Sequence, residues 1–141
     1  MANNFRVTLK IDGFHDREVS VVDYVFYQAS DKENQPSGIP RGGKISVRVK
    51  AEDSGNAELL KWATAKSMAK KGSLLFMTAK NIEKKMKSIE FEGAYCLEFR
   101  EHWEDVPVER DNAVPIAHWE EIVISCRKIT NGPVNYENEW K

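Results

Sequence analysis

From Ile89 to Arg100 the chain alternates with a period of two. Ile89, Phe91, Gly93, Tyr95, Leu97 and Phe99 share one phase, and Glu90, Glu92, Ala94, Cys96, Glu98 and Arg100 share the other. Helical faces recur about every 3.6 residues and strand faces every two, so this run predicts a long strand. Gly93 in its middle predicts a bend. Other segments keep the same period. Phe5, Val7, Leu9 and Ile11 alternate with Arg6, Thr8 and Lys10 until Asp12-Gly13. Ile45, Val47 and Val49 alternate with Lys44, Ser46, Arg48 and Lys50. The run Val19 to Gln28 has apolar residues on both faces, Val19, Val21, Val25 and Tyr27 against Val22, Tyr24 and Phe26, so both sides seek cover.

Between Asp53 and Gly72 the pattern changes. Asp53, Ser54 or Asn56 can cap a helix, Leu59, Leu60, Trp62 and Ala63 form an apolar patch, and Lys70-Lys71-Gly72 is a stop signal. A short strand is expected at Leu74–Thr78 and a charged turn at Asn81–Lys85. A loop with Pro107 and Pro115 leads to a last strand marked by Ile122, Ile124 and Cys126, ended by Asn131-Gly132-Pro133. Many strands and one helix predict a mainly β fold, an antiparallel β-barrel with one packed α-helix. At 141 residues the chain fits a single domain, 1–141.

One stretch fits neither element. Asp31-Lys32-Glu33-Asn34-Gln35-Pro36-Ser37-Gly38-Ile39-Pro40-Arg41-Gly42-Gly43 is polar and rich in turn residues, and loops of this length in compact domains usually serve a purpose. It is expected to be an extended arm.

Charge narrows the function classes. Lys plus Arg is 21 and Asp plus Glu is 22, without the positive field of a protein bound broadly to nucleic acid. The distribution is uneven: residues 61–87 hold 8 basic and 1 acidic side chains, residues 88–141 hold 5 and 12. Such blocks stay as solvated faces, pair internally, or meet complementary patches on other copies. The opening residues lack the basic and apolar regions of an export signal, and no apolar run reaches the roughly 18 residues of a membrane helix. The expectation is a protein made in the cytoplasm, without a cleaved export signal and without direct membrane insertion.

Candidate chemical sites are few. Gly38 to Lys44 has phosphate-loop spacing, but Ile45 replaces the metal-binding Ser/Thr and a strand follows where that motif needs a helix. His102-Trp103-Glu104 and His118-Trp119-Glu120 repeat a tripeptide that, on strands, aims imidazole and carboxylate the same way, the sharpest metal arrangement available. Neither copy has the helical spacing of a metal site, and no metal or cofactor is assigned. Cys96 and Cys126 lie in strand-like apolar text as buried reduced thiols. Lys61, Lys66, Lys70, Lys71, Lys80, Lys84, Lys85 and Lys87 with Trp62 and Phe76 offer a nucleic-acid face as a lesser alternative. No catalytic constellation emerges, so no enzyme activity is expected.

Several segments resemble the Hcp (TssD) tube proteins of type VI secretion systems. They are Pro36-Ser37-Gly38 through Gly42-Gly43-Lys44-Ile45-Ser46-Val47, Leu59-Leu60-Lys61-Trp62, Lys85-Met86-Lys87-Ser88-Ile89-Glu90-Phe91-Glu92-Gly93-Ala94-Tyr95, Ser125-Cys126-Arg127-Lys128-Ile129, and Glu137-Asn138-Glu139-Trp140. The resemblance covers nearly the whole chain in order, in the family's divergent branch. It implies a barrel protomer forming hexameric rings that stack into a hollow tube, propelled by a contractile sheath. It further implies partners in sheath, spike and baseplate proteins and effectors in the lumen, no nucleic acid, and delivery outside the cell by the machine itself. The family's long loop touches neighbouring subunits, which places Asp31 to Gly43 at a subunit or ring interface. The tube of a phage-tail-like extracellular injection particle is the near alternative, sharing this architecture.

Overall fold

The computed structural model describes residues 5–50, 57–78, 85–105, 116–138 and 140. Seven strands and one helix follow in the order β1 (Phe5–Ile11), β2 (Arg17–Tyr24), β3 (Lys44–Lys50), α1 (Glu58–Thr64), β4 (Lys70–Thr78), β5 (Lys85–Asp105), β6 (Ile116–Asn131) and β7 (Val134–Glu137). The sheet order is β3-β2-β1-β4-β5-β6-β7, and an additional β3–β6 pairing closes six antiparallel strands into a barrel. Closure removes the exposed edges an open sheet would carry. β7 stays outside the barrel, on the edge of β6 beyond the end of β3.

Inward residues of every barrel strand meet in one core, with Leu9, Val47, Val49, Leu74, Ile122, Ile124 and Cys126 fully buried. Helix α1 packs on β5 and sends Leu59 and Trp62 into that core. Phe14 meets the Trp62 ring edge-on at 6.1 Å, and the indole N–H donates to the Met68 carbonyl at 2.8 Å. Among the described residues two charged side chains are buried as well. Arg17 Nη2 donates to Glu120 Oε1 at 2.6 Å and to the Lys50 carbonyl at 2.8 Å, tying β2, β3 and β6 together. Among the described residues no helix is long and apolar enough to cross a membrane.

β1 and β3 follow their alternation, and the other elements depart from theirs for identifiable reasons. The run expected to continue to Gln28 leaves the sheet at Tyr24, because its last rung is Tyr24↔Ile45 and β3 begins only at Lys44. The helix expected from Asp53 to Gly72 is confined to Glu58–Thr64, and Lys70-Lys71-Gly72 opens β4. Gly72 serves close approach and not a helix stop: a Cβ there would lie 2.2 Å from the Lys10 carbonyl and 2.9 Å from the Phe91 ring. In β5 the bend does occur at Gly93 (φ +59°), but the single phase does not hold. The buried residues run Ile89, Phe91, then Ala94, Cys96, and on β6 the buried Ile129 and Cys126 change phase at the same point. A second offset between Cys96 and Glu98 turns Leu97 outward and Phe99 back toward the core. The expected final strand is not final either, since Asn131-Gly132-Pro133 turns the chain into β7. The expected caps Asp53, Ser54 and Asn56, the turn residues 81–84 and the loop with Pro107 and Pro115 lie outside the described residues.

Candidate functional site

Between β2 and β3 every residue from Val25 to Arg41 is exposed. This arm folds back on itself. Tyr27 and Arg41 exchange backbone hydrogen bonds at 2.9 and 2.7 Å, and Ser37 N–H donates to the Ala29 carbonyl at 2.8 Å. At the tip, Asp31 Oδ1 accepts from the backbone N–H groups of Glu33 and Gln35, the short side chain of Asp satisfying a turn. Asn34 adopts φ +64°, which Asn tolerates better than most residues. The expected arm is therefore present, as a turned-back excursion with its own hydrogen bonds.

Its base is held by residues that the pattern of the sequence does not single out. The Phe26 ring lies on Gly42, where a Cβ would sit 2.1 Å from it, and meets Tyr136 of β7 edge-on at 5.1 Å. The Tyr136 hydroxyl lies 3.2 Å from the Pro40 carbonyl. Asn138 Nδ2 donates to the carbonyls of Gly42 and Cys126 at 3.2 and 2.9 Å, and Cys126 N–H donates to the Gly43 carbonyl at 2.7 Å. Gly43 has φ +101°, and a Cβ on it would lie 2.8 Å from the Cys126 carbonyl, so only glycine passes this junction unstrained. Strand β7 is thus the buttress of the arm. The one signal that could have located it was Tyr136-Glu137-Asn138 after a Gly-Pro turn.

Apolar surface surrounds this base. Val19 is buried and Val22 and Tyr24 pack on the core, but Val21, Val25, Tyr27 and Ile39 stay open to solvent, Val25 and Ile39 at 62% and 63% exposure. An offset between Val19 and Val21 splits one of the predicted faces, so Val19, Val22 and Tyr24 are covered within the subunit while Val21, Val25 and Tyr27 are open. Val25 and Tyr27 share the wall of one cleft, and several large apolar side chains left open near one loop are the kind of exposure that accompanies contact with another macromolecule.

The two His-Trp-Glu copies do come together, on adjacent rungs of the β5–β6 hairpin, but not as a ligand cluster. His102 stacks on Trp119 at 4.3 Å, Trp103 on His118 at 3.3 Å, and His118 Nε2 lies 2.8 Å from Glu101. Glu120 turns inward to Arg17. The Arg48 guanidinium covers the Trp119 ring at 4.5 Å. Among the described residues no three His, Cys, Asp or Glu side chains converge as metal ligands. The phosphate-loop spacing runs straight into β3 at Lys44. Of the aromatics set beside the lysine block, Trp62 is 1% exposed, and Phe76 packs against the core with Lys87 Nζ 5.8 Å from its ring centre. Neither offers a stacking platform. Cys96 and Cys126 are free and buried, and burial pushes their thiols up to about 11 and about 12.

A sequence profile of the family described as "Hemolysin coregulated protein Hcp (TssD)" matches residues 3–141. Comparison with curated proteins gives no match. Among solved structures, Hcp1 from Flavobacterium johnsoniae is 29% identical, with 94% of this chain and 99% of that one covered at a TM-score of 0.77. A crystal structure of an Hcp protein superposes at 0.76 with 12% identity, over 97% of this chain and 98% of the other. Hcp1 from Salmonella typhimurium superposes at 0.68 with 14% identity, over 96% and 95%. The last two speak for the fold.

Proposed function

The chain belongs to the Hcp (TssD) family and is a tube subunit of a type VI secretion system, and on that premise we propose how its surfaces serve assembly. A tube of identical subunits needs heterologous contacts, in which one surface of a copy meets a different surface of the next. The arm, Asp31 to Gly43, is the surface built for this. It is exposed as far as Arg41, held at its base by Phe26, Tyr136 and Asn138, carries the open Ile39 and is preceded by the open apolar residues Val21, Val25 and Tyr27. That uncovered apolar face beside a braced arm is the observation that carries the reading.

Residues 1–141 act as a single tube-protein domain, six to a ring, with rings stacked around a lumen. Sheath, spike and baseplate proteins are the partners outside the tube, effector proteins those inside it, and the machine itself carries the protein out of the cell. The role is mechanical. Negative-stain microscopy of purified protein tests this directly. Six globules of this size around a hole give annuli of about 90 Å. Replacing residues 31–37 by a two-residue turn is expected to abolish them while leaving the melting temperature within a few degrees. A monomer at all concentrations would refute the proposal.

A further inference from the structure

Beneath the arm base lies a cleft of about 300 Å³, lined by Val25, Tyr27, Arg41, Lys44, Asn138 and Trp140. We propose that it receives the acidic end of the β5–β6 hairpin of a second copy, an inference that rests on the tube reading and adds which two surfaces meet. Two cations at the mouth of a cleft walled by Tyr27 and Trp140 select a carboxylate-bearing segment with an apolar neighbour, through charge-assisted hydrogen bonds flanked by desolvating rings. Among the described residues neither Arg41 nor Lys44 makes an ion pair. The same end of the barrel carries Lys87, whose Nζ lies 3.0 Å from the hydroxyl of Tyr24, the last residue of β2 before the arm.

The complementary surface is at the other end. Over the described residues 98–105 and 116–121 the sequence carries 6 acidic and 1 basic side chains. Glu101 and Glu104 are exposed there, beside Trp103 at 60% exposure. Ser125 borders the cleft and His118 faces Glu101, so along β6 the two surfaces are about 23 Å apart at ~3.3 Å per residue. Within one copy they cannot touch. Head-to-tail placement of identical copies brings one against the other. The basic block is not spent internally: among the described residues no lysine between 61 and 87 pairs with a carboxylate. On the acidic side Glu98, Glu101, Glu120 and Glu121 already meet Arg100, His118, Arg17 and Arg48, which leaves Glu104 as the exposed carboxylate there with no ion pair among the described residues.

The test uses two charge-reversed full-length chains, Arg41→Glu with Lys44→Glu, and Glu101→Lys with Glu104→Lys. Each alone juxtaposes like charges, so assembly is expected to need at least 10-fold more protein than the unmodified chain. Mixed one to one they present an opposite charge at every contact, and rings of alternating composition are expected by native mass spectrometry. Circular dichroism melts establish that each variant is folded, and Arg41→Asp with Lys44→Asp, which keeps the reversed charge, replaces the first should it not be. Unchanged assembly of either variant, or a mixture of folded variants that forms no mixed rings, overturns the pairing. Failure of the unmodified chain to form rings would instead remove the tube reading beneath it.

Discussion

Replacing Arg17 by Met tests the energetic weight of the buried ion pair. Arg17 and Glu120 have side chains 3% and 8% exposed, with nitrogen and oxygen 2.6 Å apart. Met fills much of the same volume, so the loss is mainly electrostatic. Glu120 is left as a buried carboxylate without its partner, and the Lys50 carbonyl loses the donor at 2.8 Å. Breaking a buried pair from one side costs about 3–5 kcal/mol. A chain of 141 residues has on the order of 7–20 kcal/mol in all. At roughly 2–4 °C per kcal/mol the melting temperature should fall by about 10 °C. Urea unfolding followed by far-UV circular dichroism at pH 7 measures the difference. The double variant Arg17→Met with Glu120→Leu should recover most of the loss, because a well-packed apolar pair often equals a buried ion pair in stability. A single variant within about 1 kcal/mol of the unmodified protein, or a double variant no better than the single, would refute the reasoning.

Gly43→Ala forces a side chain into a left-handed backbone against the Cys126 carbonyl, and should cost about 1–3 kcal/mol in the same urea assay. Trp62→Ala should cost about 3–5 kcal/mol, as expected for a core ring. Cys96 and Cys126 should resist a thiol reagent in the native protein at pH 8 and react on unfolding. Their folded-state values are raised, so the stability they contribute is complete below the ordinary thiol range near 9 and is lost as pH climbs toward about 11 and about 12. Melts recorded from pH 8 to 11 should therefore decline, and less so for Cys126→Ser than for the unmodified chain.

The sequence exposes what a periodicity can carry. β1 and β3 span the residues their alternation marks, Phe5–Ile11 and Lys44–Lys50, because β1 keeps one register against β4 and β3 one against β6. Gly93 announces the bend in β5. The two phase changes that follow from Gly93 and Leu97 are invisible until β4 and β6 supply the rungs against which an offset is counted. Gly72 shows the same limit from another side: a glycine after two lysines has the local form of a helix stop, and only the approach of β1 to within 2.2 Å of its missing Cβ explains its presence. The arm is legible from its composition, because glycine, proline and Asp mark turns by their own backbone preferences. Its anchors are not. Phe26, Tyr136 and Asn138 are ordinary residues separated by up to 112 positions, and become a clamp only after the barrel has closed.

β5 and β6 are 21 and 16 residues long, far beyond the other strands of the barrel, and pair from Ile89↔Asn131 to Asp105↔Ile116 with interruptions only at Gly93 and Leu97. Such a ribbon works as a beam. Force arriving at the clamp beside Cys126 passes along the shared ladder of peptide groups to the far tip, without crossing the softer contacts between side chains. On the mechanical role proposed above, stiffness along this axis matters more than overall stability, and the offset between Cys96 and Glu98, which lies between clamp and tip, is where the beam would yield first.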